Sequence, residues 1–382
     1  MNQASTVEFR HVTKVYGARQ SARGGAVNDL SLLVPAGEIC VLVGPSGCGK
    51  TTSLKMVNRL VEPTSGQVLI DGQDVKASEI TALRRRIGYV IQQIGLFPHQ
   101  TIADNVATVP RLLGWPRERV RQRVDELLDM IGLDPSQVRG RYPAQLSGGE
   151  RQRIGVARAM AAEPPVMLMD EPFGAVDPIV RERLQNEFLR LHRRLGMTVL
   201  FVTHDIDEAI KMGNRVAVLE QGGRLAQYAP PTELLLHPAS DFVARFVGVD
   251  RGLKRLSLLT VADAKLEPGC TARVGEPVRA VRERAVACEQ DHVLLLQPDD
   301  RPLGWARVAH LGAEGSVQPD AADPSSPFVS FDTTLRDTLS MLLASAVQTA
   351  VVVDDGGRYA GVLTLDALSV AFRSEAGHVE VG

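Results

Sequence analysis

Cysteine is scarce in this sequence, with four residues in 382. Cys40, Cys48, Cys270 and Cys288 contain neither a C-x-x-C pair nor the spacing of a metal site, so a reducing, cytosolic compartment fits them best. Aromatic residues make up only 4%, and Trp115 and Trp305 are the only tryptophans. No apolar run approaches the ~18–20 residues that span a bilayer. The stretch Met1 to Gly17 lacks the apolar centre of a secretion signal. A large net charge is also missing: 43 basic against 45 acidic residues leave −2. That excludes a nucleic-acid binder working through bulk positive charge, though not a local basic patch. Only seven of the basic residues are Lys, a bias from which no function is read. The expectation is a soluble intracellular chain of two or three domains, at roughly 100–200 residues each, large enough to bury its own core.

The charge is unevenly spread. Residues 250–382 hold 13 basic and 19 acidic residues, a net of −6, which leaves +4 on residues 1–249. A boundary is therefore expected near Gly248-Val249-Asp250. Before it, short continuous apolar runs (Ile39 to Val43, Val166 to Met169, Thr198 to Val202) alternate with helical patterns such as Val180 to Leu195. Continuous apolar strands predict a parallel sheet buried on both faces, an α/β architecture. Residues 93–162 read mostly as helix, a helical insertion into that core. Gly222 to Tyr228 reads as a hairpin turn and strand.

After the boundary the pattern changes. Phe328 to Phe331 reads as a strand and Leu335 to Val347 as an amphipathic helix. Ala350 to Val353 and Tyr359 to Leu363 read as strands, and Leu365 to Phe372 as a closing helix. A looser copy precedes it, with a helix at Pro277 to Cys288 and strands at Val293 to Leu296 and Leu303 to Val308. This is a weak internal repeat of about 60–70 residues. Gly312 to Pro327, rich in Pro, Ser, Ala and Asp, is expected to link the copies.

Three motifs carry chemistry. Gly44-Pro45-Ser46-Gly47-Cys48-Gly49-Lys50-Thr51 fits the phosphate-binding loop pattern and opens a helical stretch from Thr52. Its backbone N–H groups and helix N-terminus can cradle phosphates. Lys50 is placed to neutralise the β- and γ-phosphates and Thr51 to hold Mg²⁺. Asp170-Glu171 ends an apolar strand, where Asp170 can bind Mg²⁺ and Glu171 can polarise an attacking water. Leu146-Ser147-Gly148-Gly149-Glu150-Arg151-Gln152 opens a helix. Ser147, Gly148 and Gly149 read either as a second anion site or as an ordinary helix cap.

The LSGGERQ run resembles the signature of the ATP-binding-cassette family, and the other elements occur in that family's order over residues 7–246. The fold this resemblance implies is a P-loop NTPase cassette, a RecA-like core with a helical subdomain. It implies that Tyr16 stacks on adenine and that Gln92 senses Mg²⁺ and the γ-phosphate and faces a membrane partner. It further implies that Glu171 is the catalytic carboxylate and that His204 contacts the γ-phosphate. Asp177 belongs to the loop that usually reads S-A-L-D, here Ala175-Val176-Asp177. Two copies are expected to close head to tail on two ATPs, each site borrowing Ser147 to Gly149 from the other.

The wording also resembles one branch. Gly88 to His99, Leu60 to Gly66 and Met169 to Gly174 look like the quaternary-amine, or osmoprotectant, importers. This implies an ATPase subunit for glycine betaine, choline, carnitine or proline uptake, peripheral on the cytoplasmic face of the inner membrane. Its partners would be an integral permease on another chain and, indirectly, a substrate-binding protein, with no nucleic acid. An importer of another small solute, such as an amino acid, and a soluble regulatory ATPase are the alternatives. Recognition of a quaternary ammonium calls for an aromatic cage, which this aromatic-poor chain would leave to the binding protein. The tail, 248–382 after a cassette of 1–247, resembles a smaller α+β pair of cystathionine-β-synthase-type (CBS) modules, with copies at about 253–311 and 326–374. Nucleotide-binding versions place an Asp where Ala367 stands here, with Asp366 one residue early, so the tail's ligand stays open. Arg279, Arg282 and Arg284 read as a local basic patch or as a solvated helix face.

Overall fold

In this computed structural model the described residues are 4–16, 25–91, 95–174, 177–312, 314–323, 326–345 and 347–374. The chain divides into two compact units, Met1–Gly248 and Val249–Gly382. Among the described residues no helix is long and apolar enough to cross a membrane.

The first unit is built on two sheets. β1 (Val7–Lys14), β2 (Val27–Val34), β4 (Ser65–Ile70) and β5 (Gln73–Asp74) form an antiparallel sheet in the order β2-β1-β4-β5. β3 (Ile39–Val43), β6 (Ile87–Val90), β7 (Val166–Asp170), β8 (Thr198–Val202), β9 (Arg215–Leu219) and β10 (Leu225–Ala229) form the second, ordered β10-β9-β3-β8-β7-β6. Its pairings are parallel except β9 with β10. β3, β7 and β8 are buried at every residue, which is why they carry no polar alternation. Crossovers between parallel strands need helices. Lys50–Val57 and Pro178–Leu195 supply two of them. Between β6 and β7 stand the helices Ile102–Leu112, Arg117–Met130, Pro135–Val138 and Gly148–Met160.

In the second unit, β11 (Thr271–Arg273), β12 (His292–Leu296) and β13 (Pro302–Arg307) make one three-stranded sheet. β14 (Phe328–Ser330), β15 (Thr349–Val353) and β16 (Tyr359–Thr364) make another. Each pairs its first two strands in parallel across a helix, Val278–Ala287 or Leu335–Ala344, and its last two antiparallel. The internal repeat is thus present as repeated topology. The closing helix Leu365–Ser374 of the second copy is replaced in the first by a short turn, Val308–His310. Leu294, Leu296, Trp305, Val351 and Val362 form a small core joining the two sheets.

One expectation for the tail needs correction, and one of two open readings falls away. Gly312 to Pro327 is not a plain linker: Val317 is 1% exposed and its N–H donates to Glu276 O at 2.8 Å, so the segment closes the first module's core. Composition marks a loop but not where its backbone hydrogen bonds go. Nor do the three arginines form a free patch. Arg279 pairs with Glu283 (3.1 Å), Arg282 donates to Leu311 O (2.6 Å), and Arg284 donates to Thr271 O (2.6 Å) and pairs with Glu276 (3.0 Å).

Phe201 is fully buried in β8, its ring 6.0 Å from that of Phe173. Phe201→Ala should therefore lower the stability of this unit by about 3–5 kcal/mol, read as a shift of its urea transition. A loss within ~0.5 kcal/mol, the ordinary surface range, would place Phe201 outside the core.

Candidate functional site at the carboxyl edge of the parallel sheet

The sheet order makes β3, β8 and β7 neighbours, so whatever follows their carboxyl ends lies side by side. Asp170 at the end of β7 registers with Val202 at the end of β8. Glu171 N–H donates to Val202 O (2.9 Å), and Thr203 N–H donates to Leu42 O in β3 (3.2 Å). In open α/β sheets this edge is where ligands bind.

The loop after β3 folds tightly enough to require its glycines. A Cβ on Gly44 would sit 2.3 Å from Leu219 O, and one on Gly49 (φ 91°) would sit 2.1 Å from Ala26 O. Ser46 and Gly47 face solvent, and a Cβ on Gly47 would meet nothing within 4 Å, so the outer face of the loop is open. Pro45 is half-buried. Lys50 opens the Lys50–Val57 helix, yet its ammonium turns back to donate to Gly44 O (2.6 Å) and Pro45 O (3.0 Å). A cation is thus held at the centre of the loop at the N-terminal end of a helix, an arrangement suited to phosphate. The Cys48 sulfur lies 3.7 Å from that ammonium. Burial pushes the Cys48 thiol up from its ordinary value, with the Lys50 charge opposing.

Thr51 Oγ1 donates to Asp170 Oδ1 at 2.9 Å, and Thr52 follows half-buried in the same helix. Asp170 is 4% exposed. Burial raises its carboxyl above the ordinary value, with the Thr51 hydrogen bond opposing and the Glu171 charge adding. Glu171 has φ 46°, the left-handed region that a non-glycine residue seldom occupies. Its carboxylate lies by His204, whose Nδ1 is 3.3 Å from Glu171 Oε1. Strained residues of this kind cluster at functional sites.

Sequence reading missed a buried polar pair that involves the helix after His204. Glu208 is buried, burial raises its carboxyl above the ordinary value, and Gln185 Nε2 donates to it at 3.0 Å. Asp205 caps the same helix through the N–H groups of Asp207 and Glu208. Gln152 closes the LSGGERQ run, but its contact was missed: its amide donates to Pro172 O, tying the signature helix to the segment after Glu171. Glu208 belongs to no motif, and both residues act through contacts distant in sequence.

The remaining candidates lie apart. Ser147 is exposed and caps the Gly148–Met160 helix: its hydroxyl accepts from Glu150 N–H (3.2 Å) while Glu150 Oε2 accepts from Ser147 N–H (2.8 Å). The cap uses acceptor capacity of the hydroxyl, so its proton remains able to donate to an anion. Both readings of this segment are therefore compatible. Among the described residues, no contact of Ser147, Gly148 or Gly149 reaches the loop 44–51. Tyr16 is 43% exposed after β1, with the Lys14 ammonium 4.9 Å from its ring centroid. Asp177 precedes the Pro178–Leu195 helix and its C=O accepts from Arg181 N–H (2.8 Å). Gln92, Ala175 and Val176 lie outside the described residues.

This geometry, two strand-end carboxylates facing a lysine-filled glycine loop, agrees with the comparisons. The sequence profile described as ABC transporter matches residues 27–174. The osmoprotectant import ATP-binding protein OsmV of Salmonella typhimurium is 46% identical over 95% of both chains. The chain belongs to the ABC transporter family. The glycine betaine/carnitine/choline transport ATP-binding protein OpuCA of Bacillus subtilis is 40% identical, again over 95% of each chain. The dimeric structure of MJ0796, a bacterial ABC transporter cassette, superposes with a TM-score of 0.53 at 34% identity, covering 59% of this chain and 98% of that one. This ABC protein therefore has the cassette fold in its first unit, and its likeness to OsmV and OpuCA extends into the second.

Burial of Cys48 sets a reactivity order. In the nucleotide-free chain, a small alkylating reagent should modify exposed Cys288 well before buried Cys48, read by timed peptide mapping. Equal rates would mean that the loop opens far more readily than this packing allows.

Proposed function

We propose that this chain is the ATP-hydrolysing subunit that energises import of quaternary amines and related osmoprotectants through a permease on another chain. The observation that carries the reading is the separation of two half-sites. Lys50, Thr51, Asp170, Glu171 and His204 converge on one sheet edge, whereas Ser147 and Gly148 sit exposed and Gly149 half-buried on the helical insertion, without reaching them among the described residues. A second copy placed head to tail completes both, and the dimeric cassette relative supports that arrangement.

In this reading Lys50 leaves the Gly44 and Pro45 carbonyls for the β- and γ-phosphates of ATP, and the loop N–H groups cradle them. Tyr16 offers its exposed ring to adenine. The Thr51 hydroxyl and Asp170 carboxylate are hard oxygen donors already 2.9 Å apart, a set that fits Mg²⁺. That ion would neutralise phosphate charge. Glu171 orients water for in-line attack on the γ-phosphorus, and His204 beside it reports whether the γ-phosphate is present. The partner copy's Ser147 hydroxyl and its helix N-terminus close on the same phosphate. Asp177 and Gln92 keep the roles that the resemblance implies.

The permease contact is assigned to the helical insertion and the neighbouring end of the sheet. A cavity of about 350 Å³ there is lined by Ile87, Tyr89, Phe97, Val109, Arg84 and Arg158. Apolar walls with guanidinium rims suit an amphipathic helix from a membrane partner. Attachment at this face would hold the chain on the cytoplasmic side of the membrane. The cargo follows the relatives whose names specify osmoprotectants, glycine betaine, carnitine and choline. The second unit, two modules of one topology, is read as the regulatory CBS-type pair.

Glu171→Gln keeps the shape of the side chain and removes its charge. It should lower hydrolysis by about 10²–10⁴-fold, the usual share of a catalytic base, and trap an ATP-bound dimer visible by size-exclusion chromatography. A monomer in ATP with normal turnover would refute the assignment.

A further inference from the structure

The tail carries a pair of thiols that the ATPase reading does not use. Cys270 immediately precedes β11 and is 5% exposed, while Cys288 ends the Val278–Ala287 helix and is exposed. Two independent features bring them together. Arg284 donates from Nη1 to Thr271 O at 2.6 Å, which ties the last turn of the helix to the residue after Cys270. Cys288 follows Arg284 by four positions, with its N–H donating to Arg284 O at 2.9 Å, so the two share one helix face. The backbone at Cys270 is itself fixed, its C=O accepting from Leu294 N–H at 2.8 Å. Burial pushes the Cys270 thiol up to about 11, a hydrogen bond with the Cys288 thiol adds to the rise, and the Arg284 charge opposes it. The end of the helix that carries Cys288 is thus held beside the start of β11 that carries Cys270, with a guanidinium between them.

We propose that Cys288 and Cys270 form a reversible disulfide on reaction with a low-molecular-weight disulfide of the glutathione class. Exposed Cys288 meets the oxidant first. Its thiolate attacks one sulfur of the small disulfide, the S–S bond breaks, and one small thiolate departs to take up a proton. Cys270 then attacks the Cys288 sulfur of the mixed disulfide. A Cys270–Cys288 bond forms, the second small thiolate leaves, and it takes the Cys270 proton. Two protein thiols are oxidised and one small disulfide is reduced to two thiols. Disulfides in a reducing compartment are characteristically transient and sensing. Here the bond would pin the end of the helix to the start of β11 and so stiffen the first module. The division of labour, an accessible attacking thiol and a buried resolving one, follows from the exposures and needs nothing from the transport reading.

The test uses the full reduced chain incubated with glutathione disulfide. Denatured thiol counting should fall from four to two, non-reducing peptide mapping should return one linked Cys270–Cys288 species, and dithiothreitol should reverse both. Cys270→Ser should instead accumulate a glutathione adduct at Cys288, whereas Cys288→Ser should leave Cys270 free. Four remaining thiols, a persistent glutathione adduct at Cys288 in the unsubstituted chain, or a link through Cys40 or Cys48 would each overturn the proposal.

Discussion

The site depends on the alignment of three neighbouring parallel strands. β3, β8 and β7 end at one edge, and the 2.9 Å hydrogen bond from Thr51 to Asp170 locks the loop after the first to the carboxylate ending the third. Five-residue strands buried throughout tolerate no slippage, because a one-residue shift would move Asp170 away from Thr51 and carry Glu171 out of reach of His204. The core therefore does more than stabilise this unit. It sets the separations on which the chemistry rests, and the strained backbone at Glu171 is maintained by that framework.

The same rigidity explains why the site is divided. A single sheet edge can supply a cation, a hydroxyl and two carboxylates. Ser147, Gly148 and Gly149 stand on a separate helical insertion, where Ser147 serves as a helix cap. Under the proposed function, the distance between the halves calls for a second copy and gives ATP a mechanical role. A ligand that bridges two surfaces favours the closed arrangement by its differential affinity, and hydrolysis removes that bias. The insertion stands between β6 and β7, next in sequence to the strand that ends in Asp170, and under the proposed function this is the route from site to permease.

Much of this was legible in the sequence because it is local. The apolar runs at 39–43, 166–169 and 198–202, the glycine loop and the carboxylate pair each declare themselves within a few residues. What stayed hidden depends on partners distant in sequence. The β2-β1-β4-β5 sheet is broken by register shifts, with His11 and Asp29 at positive φ, and such irregular strands leave no clean period of two. Glu208 and Gln185 meet only in the fold. In the tail, Gly312 to Pro327 has linker composition but core packing through Val317, and Arg282 and Arg284 are spent on backbone carbonyls rather than on a basic surface.

Under the proposed function the motor is on this chain and the membrane path on another. That claim is tested most directly by uptake of labelled glycine betaine and choline after osmotic upshift, in a strain lacking this chain and complemented with either the wild type or Lys50→Ala. The account predicts that uptake disappears without the chain, returns with the wild type and does not return with Lys50→Ala. Uptake that persists in the deletion strain, or is restored equally by Lys50→Ala, would contradict it.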